Sequence, residues 1–222
     1  MIPQTFYTEI ETPLCAMRLT SDGENLTGLF MLPSHAHAPE ILQEWKRGDS
    51  LSLFIEAKAQ INAYFCGELK EFSLPIKAEG TPFQKSVWDA LLQIPYGETI
   101  SYGEMAKQIG NPAASRAVGM ANGKNPISII VPCHRVIGAN GKLVGYGGGM
   151  PRKIALLELE ASHSLPVRRT IGEAARRAFI PPQIFRYPPN CKTSLREGQA
   201  MSVNSPSFCA RISFSNEEAA RM

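Results

Sequence analysis

The chain has few features that would favour a metal site or a disulfide framework. Its five cysteines, at positions 15, 66, 133, 191 and 209, form no CxxC pair and are widely spaced. We therefore expect thiols rather than disulfides. His35 and His37 stand two apart between prolines, where a solvated loop is a better interpretation than a metal site, which would need more ligands. No metal and no other cofactor is expected.

Long apolar runs are also missing. The longest extends over only a few residues, which is too short to cross a bilayer. Residues 1–10 lack the basic segment and apolar stretch of a secretory signal. With 44% hydrophobic and 19% charged residues, the composition is that of a globular protein. We expect a cytoplasmic monomer that does not associate with membranes.

The net charge of +3 is unevenly distributed. Residues 1–80 carry 6 Lys/Arg against 11 Asp/Glu, whereas residues 81–161 carry 8 against 5 and residues 162–222 carry 9 against 4. A mildly basic middle segment is compatible with a polyanionic partner such as nucleic acid. Charges of this size are common in proteins that bind no nucleic acid, so the observation is weak alone.

The periodicity divides the chain into three parts. Residues 1–78 predict a small domain with strands over 6–10, 14–20 and 26–32, a helix over 51–66 and an extended segment over 72–76. Residues 79–161 predict a second, mainly helical domain. Residues 162–222 have many prolines and serines without periodicity, which predicts a disordered tail, with a short helix over 171–178.

Two capping boxes begin helices in the second domain. Thr81-Pro82-Phe83-Gln84 begins one that ends at 95–97, and Ser101-Tyr102-Gly103-Glu104 begins a short one. After the turn 110–112, residues 113–122 predict a third, which completes a helix-turn-helix. That third helix consists largely of small residues, with Arg116 as its charged side chain. Such a helix suits either close approach to a surface or packing inside a core.

The rest of the domain predicts a strand over 127–131 and a hairpin around Asn140-Gly141, with arms 136–139 and 142–144. A glycine-rich loop over 145–149 follows, without the Lys-Ser/Thr of a phosphate-binding loop. A last helix extends over 151–161.

Cys133 lies at the end of the apolar segment, directly before His134 and Arg135. An isolated cysteine there is commonly a core residue. A neighbouring imidazole, however, can take the thiol proton, and positive charge lowers a cysteine pKa. A carboxylate on the last helix, either Glu158 or Glu160, could orient the histidine. A nucleophilic thiol and a packed thiol therefore remain as alternatives at this point.

Several motifs, in a fixed order along the chain, help to decide between a nucleophilic and a packed thiol. In the second domain they are TPFQ at 81–84, VW at 87–88, IPYGET at 94–99, SY at 101–102, RAVG at 116–119, NPI at 125–127 and IVPCHRVI at 130–137. With these motifs, residues 80–160 resemble the catalytic domain of the O6-alkylguanine-DNA alkyltransferases, also called methylated-DNA–protein-cysteine methyltransferases. Through YFCG at 64–67 and FSLP at 72–75, residues 1–80 resemble the N-terminal domain of that family.

The resemblance implies an α+β architecture: a small ribonuclease-H-like α/β domain, then a mainly helical catalytic domain with a winged helix-turn-helix-like arrangement. It also implies a single-turnover DNA repair enzyme. This enzyme would flip O6-alkylguanine, and as a further substrate O4-alkylthymine, out of double-stranded DNA and keep the alkyl group on its own cysteine.

The catalytic roles carry over by position. Cys133 matches the alkyl acceptor, and His134 matches the base that takes its proton through a water. Glu160 matches the orienting carboxylate, and Asn125 matches the residue that holds the active-site turn.

The DNA-binding roles carry over in the same way. Arg116 matches the finger that fills the space of the flipped nucleotide, and Tyr102 matches the residue that crowds the target phosphate. Further DNA contacts are expected from Ala114, Ser115, Ala117, Asn122 and Arg135, and the base pocket from Val136, Tyr146, Gly147 and Gly148.

The chain departs from the family at three points. The zinc ligands of human-type members have no evident counterpart, Gly147 stands where relatives often carry Ser or Ala, and residues 162–222 have no family equivalent. Two other functions fit part of the pattern. A DNA-binding regulator would need the helix-turn-helix but no reactive thiol, and a Cys–His hydrolase or thiol redox protein would not need Arg116.

Overall fold

A computed structural model describes residues 4–33, 35 and 37–164, and all structural statements below concern these residues. The predictions for 165–222, including the helix over 171–178, lie outside them. Within the described part, no helix is both long enough and apolar enough to span a bilayer.

The N-terminal domain is a four-stranded sheet with one long helix. Its strands are β1 (Phe6–Glu11), β2 (Ala16–Ser21), β3 (Leu26–Met31) and β4 (Lys46–Arg47), in the order β3-β2-β1-β4. The alternating pattern predicts the first three as strands, and they form an antiparallel meander, whereas β4 pairs with β1 in parallel. Helix α1 (Ser52–Phe65) buries Phe54, Ile61 and Tyr64 in the core. The two-residue β4 is too short for periodicity to reveal it.

The outer edge of β3 is closed by the rest of the chain. The backbone N–H of Leu29 donates to the Pro126 carbonyl at 2.9 Å, and the N–H of Ser128 donates to the Leu29 carbonyl at 3.1 Å. The N–H of Leu26 similarly donates to the Pro75 carbonyl at 2.8 Å. Backbone hydrogen bonds therefore join the N-terminal sheet to the segment that leads to Cys133.

The second domain contains the helices α2 (Pro82–Leu91), α3 (Tyr102–Gln108), α4 (Ser115–Gly123) and α5 (Met150–His163). Both predicted capping boxes are present, at the starts of α2 and α3. A short 3-10 helix, Pro112–Ala114, precedes α4. The indole N–H of Trp88 on α2 donates to the Ala121 carbonyl at 2.9 Å, which fastens the C-terminal half of α4 to α2.

The predicted strand over 127–131 is wrong. Residues 127–133 form a tight turn, in which the Val131 N–H donates to the Ile127 carbonyl at 3.0 Å and Ile129 has a φ of 70°. A β-branched residue rarely occupies the left-handed region. Asn125 holds the turn: its Nδ2 donates to the Val131 carbonyl at 2.8 Å, and its Oδ1 accepts from the Ile127 N–H at 3.0 Å. Side-chain hydrogen bonds therefore override the apolar pattern.

The predicted hairpin is also wrong. Strand β6 (Val136–Ile137) pairs in parallel with β5 (Ile100–Ser101), not with residues 142–144. Asn140-Gly141 does make a turn, closed by the Gly138 N–H to the Lys142 carbonyl at 2.8 Å. The strand pairing expected beyond this turn is replaced by the pairing with β5.

The turn between β2 and β3 predicts an acid-dependent loss of stability. Asp22 accepts backbone N–H bonds from Asn25 (2.8 Å) and Glu24 (3.1 Å), which lower its pKa to about 2. Its unfolded value is about 4, so its contribution is present above pH 4 and is lost as pH falls through 2. After allowance for solvent screening, Asp22→Asn should lower the free energy of unfolding at pH 7 by about 1 kcal/mol, and by much less near pH 2, where the carboxyl is half protonated in the folded protein.

Urea unfolding between pH 2 and 7 measures this difference, with Glu24→Gln in the same turn as the control that should follow the parent protein. A constant difference between parent and Asp22→Asn across that range would contradict the assignment.

The Asn125 turn predicts a second effect on stability. Asn125→Ala leaves the buried Ile127 N–H without its partner, at about 1–3 kcal/mol, whereas the Val131 carbonyl keeps the Cys133 N–H as a donor. We expect the free energy of unfolding to fall by about 1–3 kcal/mol in urea titrations. Asn111→Ala, at an exposed asparagine whose side chain makes no cap, should change it little. A small loss for Asn125→Ala would show that the turn holds without this side chain.

Candidate active site

Cys133 begins a short 3-10 helix, Cys133–Arg135, directly after the Asn125 turn. Its N–H donates to the Val131 carbonyl at 2.8 Å, and its carbonyl accepts from Nδ2 of Asn122 at 3.2 Å. Nδ2 of Asn125 also lies 3.1 Å from the Cys133 sulfur. An N–H directed at sulfur stabilises a thiolate more than a thiol. The turn therefore both places the sulfur and supplies it with a donor.

The thiol is buried, at 4% exposure, and this changes the expected electrostatics. Burial raises the pKa of Cys133, although the Asn125 amide and the Lys153 ammonium act in the opposite direction. The expectation of a thiol whose pKa is lowered by its neighbours is therefore wrong for the protein without DNA. Desolvation outweighs the nearby positive charge, so the sulfur carries its proton at neutral pH.

His134 and Glu160 form a fully buried pair. Nε2 of His134 lies 2.8 Å from Oε1 of Glu160, and both side chains are 0% exposed. Burial alone would raise the pKa of Glu160, but His134 and Arg135 outweigh it and hold that pKa well below its usual range. The ionised carboxylate can only accept, so Nε2 carries the ring proton. Glu158, the other carboxylate that the sequence allowed, is exposed on α5.

The other nitrogen of His134, Nδ1, is buried and makes no hydrogen bond to the described residues. Burial lowers the pKa of His134, against the opposing effect of Glu160, so the ring is neutral near pH 7. With the proton fixed on Nε2, Nδ1 has a free lone pair. His134 can therefore accept a proton.

Arg135 and Asn122 do not face solvent, although the sequence assigned them to DNA binding. The guanidinium of Arg135 donates to the Glu160 carboxylate, with Nη2 2.9 Å from Oε1, and to the Ile94 carbonyl at 2.6 Å. Arg135 is 6% exposed and Asn122 is 3% exposed. The assignment of these two residues to the DNA surface is therefore wrong: their donors stabilise the interior of the site.

The remaining residues assigned to DNA binding lie at the surface of the helix-turn-helix. Arg116 and Ala117 are exposed on α4, and Ala114 and Ser115 at its start are half-buried. Tyr102 begins α3, where its hydroxyl donates to the Val144 carbonyl at 3.3 Å, and its ring is the nearest neighbour of Gly119 on α4. Residues with small side chains thus flank Arg116 in the sequence of α4.

The residues assigned to the base pocket divide into two groups. Tyr146 and Gly147 are half-buried, whereas Gly148 and Val136 are buried. A Cβ on Gly148 would lie 2.7 Å from the sulfur of Met31, so β3 of the N-terminal domain packs directly on this loop.

Two residues near the site were not predicted. Lys153 on α5 is wholly buried and donates to the carbonyls of Val136 (2.6 Å) and Val144 (3.2 Å). Burial lowers its pKa to about 8. Tyr64 on α1 donates to Oε1 of Glu160 at 2.8 Å. A lysine inside the apolar pattern of α5 was a usable signal for the first, whereas nothing in the sequence joins Tyr64 to a carboxylate 96 positions away.

No group of three or more potential metal ligands occurs among the described residues. Of the cysteines in that part of the chain, Cys15 and Cys133 are free thiols and Cys66 is disulfide-bonded. The expectation that every cysteine is a thiol is therefore wrong for Cys66.

Comparisons with known proteins agree with this arrangement. Residues 82–162 match the family model described as the DNA binding domain of 6-O-methylguanine DNA methyltransferase, and residues 5–78 match its ribonuclease-like domain. A methylated-DNA–protein-cysteine methyltransferase of Mycobacterium tuberculosis is 55% identical over 163 residues, covering 71% of this chain and 93% of the relative. One from Methanosarcina acetivorans is 52% identical over 157 residues, covering 71% and 99%.

Solved structures give the same result. The crystal structure of Mycobacterium tuberculosis OGT in complex with DNA superposes with a TM-score of 0.67 at 55% identity, covering 72% of this chain and 94% of that one. An O6-methylguanine DNA methyltransferase from Methanococcus jannaschii has a TM-score of 0.53 at 25% identity, covering 73% and 98%. The two family models together cover well over half of the sequence. The chain belongs to the 6-O-methylguanine DNA methyltransferase family.

Proposed function

We propose that this protein repairs duplex DNA by moving the alkyl group of O6-alkylguanine onto the sulfur of Cys133, once per molecule. The observation that carries the proposal is that the Cys133 sulfur lies 3.1 Å from the Asn125 amide and that His134, the next residue in the sequence, is paired with the buried Glu160. It unites a nucleophile, a donor to its charged form and an oriented base.

The proton moves first. The Cys133 thiol is neutral in its buried position, and Nδ1 of the adjacent His134 is the acceptor, directly or through one water. Glu160 holds the opposite side of the ring and stabilises the imidazolium as it forms. Asn125 then stabilises the sulfur anion.

The alkyl transfer is a displacement at carbon. The thiolate forms a C–S bond to the alkyl carbon while the C–O6 bond breaks, and its electron pair remains on guanine. The proton lost by the thiol balances the proton that guanine needs to become neutral. The product is a thioether, which has no easy hydrolytic exit, so each molecule acts once. No cofactor is required.

The alkyl carbon is inaccessible inside a base stack, so the nucleotide must be flipped out. We assign this step to α4 in the minor groove, where small residues such as Ala117 permit close approach and Arg116 fills the gap that is left. Tyr102 crowds the target phosphate, and Ala114 and Ser115 contact the backbone. Asn122 and Arg135 have no part in DNA contact because they are buried.

The flipped base is received by Tyr146, Gly147 and Gly148, and Val136, which is buried, also belongs to the proposed pocket. The substrate is double-stranded DNA that carries O6-alkylguanine, and O4-alkylthymine is a further candidate substrate. A cytoplasmic monomer with access to the chromosome fits this role.

The transfer is tested with an O6-methylguanine duplex and intact-protein mass spectrometry. We expect one added methyl group, on Cys133, and none with Cys133→Ala. Cys15→Ala, at the half-buried free thiol outside the site, should accept one equivalent as the parent does. More than one turnover, or no adduct on the parent, would refute the proposal and favour a redox or hydrolytic thiol or a binding-only regulator.

Arg116→Ala tests the flipping step. Arg116 is exposed on α4, whereas the acceptor is buried, so the loss of Arg116 should slow transfer from duplex DNA about tenfold and leave transfer from free O6-benzylguanine unchanged. Single-turnover rates on both substrates measure this. Arg47→Ala, at an exposed arginine of the N-terminal sheet, is the control that should leave both rates unchanged. Equal slowing of both substrates by Arg116→Ala would exclude a flipping role.

A further inference from the structure

The Glu160 carboxylate accepts hydrogen bonds from four residues, and one of them lies in the other domain. Oε1 accepts from Nε2 of His134 and from the Tyr64 hydroxyl, both at 2.8 Å, and from Nη2 of Arg135 at 2.9 Å. Oε2 accepts from Nε of Arg135 at 2.9 Å and from the Gly97 N–H at 3.1 Å. Tyr64 comes from α1, in the N-terminal sheet domain.

Tyr64 cannot easily leave this position. Its side chain is 0% exposed, and its ring packs against Phe65 and Phe72, with centroids 5.5 Å away, and against Tyr96 at 5.9 Å. Burial and the Glu160 charge raise the pKa of Tyr64 well above its usual value, so the hydroxyl keeps its proton and remains a donor. The contact is therefore a fixed part of the folded protein.

We propose that Tyr64 is a positioning residue for the alkyl transfer: its hydroxyl holds Oε1 of Glu160 against His134, and so connects the N-terminal domain to the proton acceptor of the active site. The inference rests on the proposed function. Tyr64 donates to the same oxygen that accepts the hydrogen bond from Nε2 of His134, so it affects both the direction of the carboxylate and the charge that His134 experiences.

Loss of the Tyr64 hydroxyl should change the pKa of His134 in a definite direction. Without the Tyr64 hydroxyl, Oε1 has one donor fewer and more of its negative charge acts on His134. That charge favours the imidazolium, so the pKa of His134 rises. An imidazolium cannot accept the thiol proton, and the acid limb of the pH–rate profile therefore moves to higher pH. The less constrained carboxylate also orients the ring less well, which lowers the plateau rate.

Other groups face the pair and stay in place when the hydroxyl is removed. Around Glu160 these are Arg135 and Tyr96. The ring of Tyr96 lies 5.7 Å from the guanidinium carbon of Arg135. Around His134 they are Arg135, Lys153 and, next in sequence, Cys133. The pKa of Lys153 is about 8, so its titration affects the alkaline limb. The acid limb is therefore the region in which Tyr64 is tested.

The decisive variant is Tyr64→Phe in the full-length chain, with Tyr7→Phe on β1 as the matched control. Single-turnover transfer is measured from pH 5 to 8 with free O6-benzylguanine and with an O6-methylguanine duplex. Tyr64→Phe should still accept one equivalent, react about tenfold more slowly with both substrates, and show an acid limb at higher pH. Tyr7→Phe should match the parent protein.

A parent-like rate and acid limb for Tyr64→Phe would overturn the inference, and so would a slower rate with an unshifted limb, because a merely structural role would produce it. A defect confined to the duplex would also overturn it.

If Tyr64→Phe does not fold, site-specific 3-fluorotyrosine at position 64 keeps the hydroxyl and makes it a stronger donor. The acid limb should then move to lower pH, and an unmoved limb would overturn the inference. Failure of the parent to accept an alkyl group would instead refute the proposed function.

Discussion

The buried carboxylate of Glu160 is the interaction on which the site depends. A buried negative charge is strongly unfavourable unless hydrogen-bond donors surround it. Removal of one partner leaves buried charge uncompensated. Here the donors come from α1, from the loop that follows α2 and from the 3-10 helix that contains Cys133. One anion thus requires segments far apart in sequence to meet at a single point.

Gly97 shows how closely the backbone adapts to that anion. Its φ of 77° lies in the left-handed region, which glycine adopts without steric cost, and its N–H points at Oε2 of Glu160. The motif at 94–99 therefore does more than end a helix. It supplies a backbone donor to the carboxylate that orients His134.

The same cost of burying a charge explains why the buried Cys133 is a neutral thiol. A thiol that is neutral at rest is protected from oxidation and from chance alkylation, because the thiolate is the reactive form. In the proposed mechanism, Cys133 gains its charge when the proton moves to His134, with the Asn125 amide and the Lys153 ammonium near the sulfur. Reactivity is then tied to the occupied site rather than to a permanently ionised sulfur.

Local signals in the sequence predicted local structure well. Thr81 and Gln84 form the capping box that their spacing predicts, and the strands β1 to β3 are present where the alternation predicts them. The turn at 127–133 was misassigned because Asn125 outweighs the β-propensity of an Ile-rich segment. Arg135 was misassigned because its neighbour in space, Glu160, lies 25 positions away.

Partners at long range explain the residues that were missed. No periodicity or motif connects Tyr64 with Glu160, and the buried position of Lys153 depends on carbonyls from a loop that was predicted as a hairpin. The motif resemblance predicts Cys133 as the acceptor and His134 as its base. The side chains that hold them in place became apparent only from the folded structure.

The closed edge of β3 bears on whether the two domains can exist apart. In the intact chain, the backbone N–H groups of Leu26 and Leu29 at this edge donate to the carbonyls of residues 75 and 126. A fragment that ended at the boundary near 78 would lose the partner of Leu29 and expose a strand edge rich in apolar residues, which is a template for intermolecular pairing. The division between the domains therefore marks a change of architecture, and a cut there would produce an aggregation-prone fragment rather than an independent module.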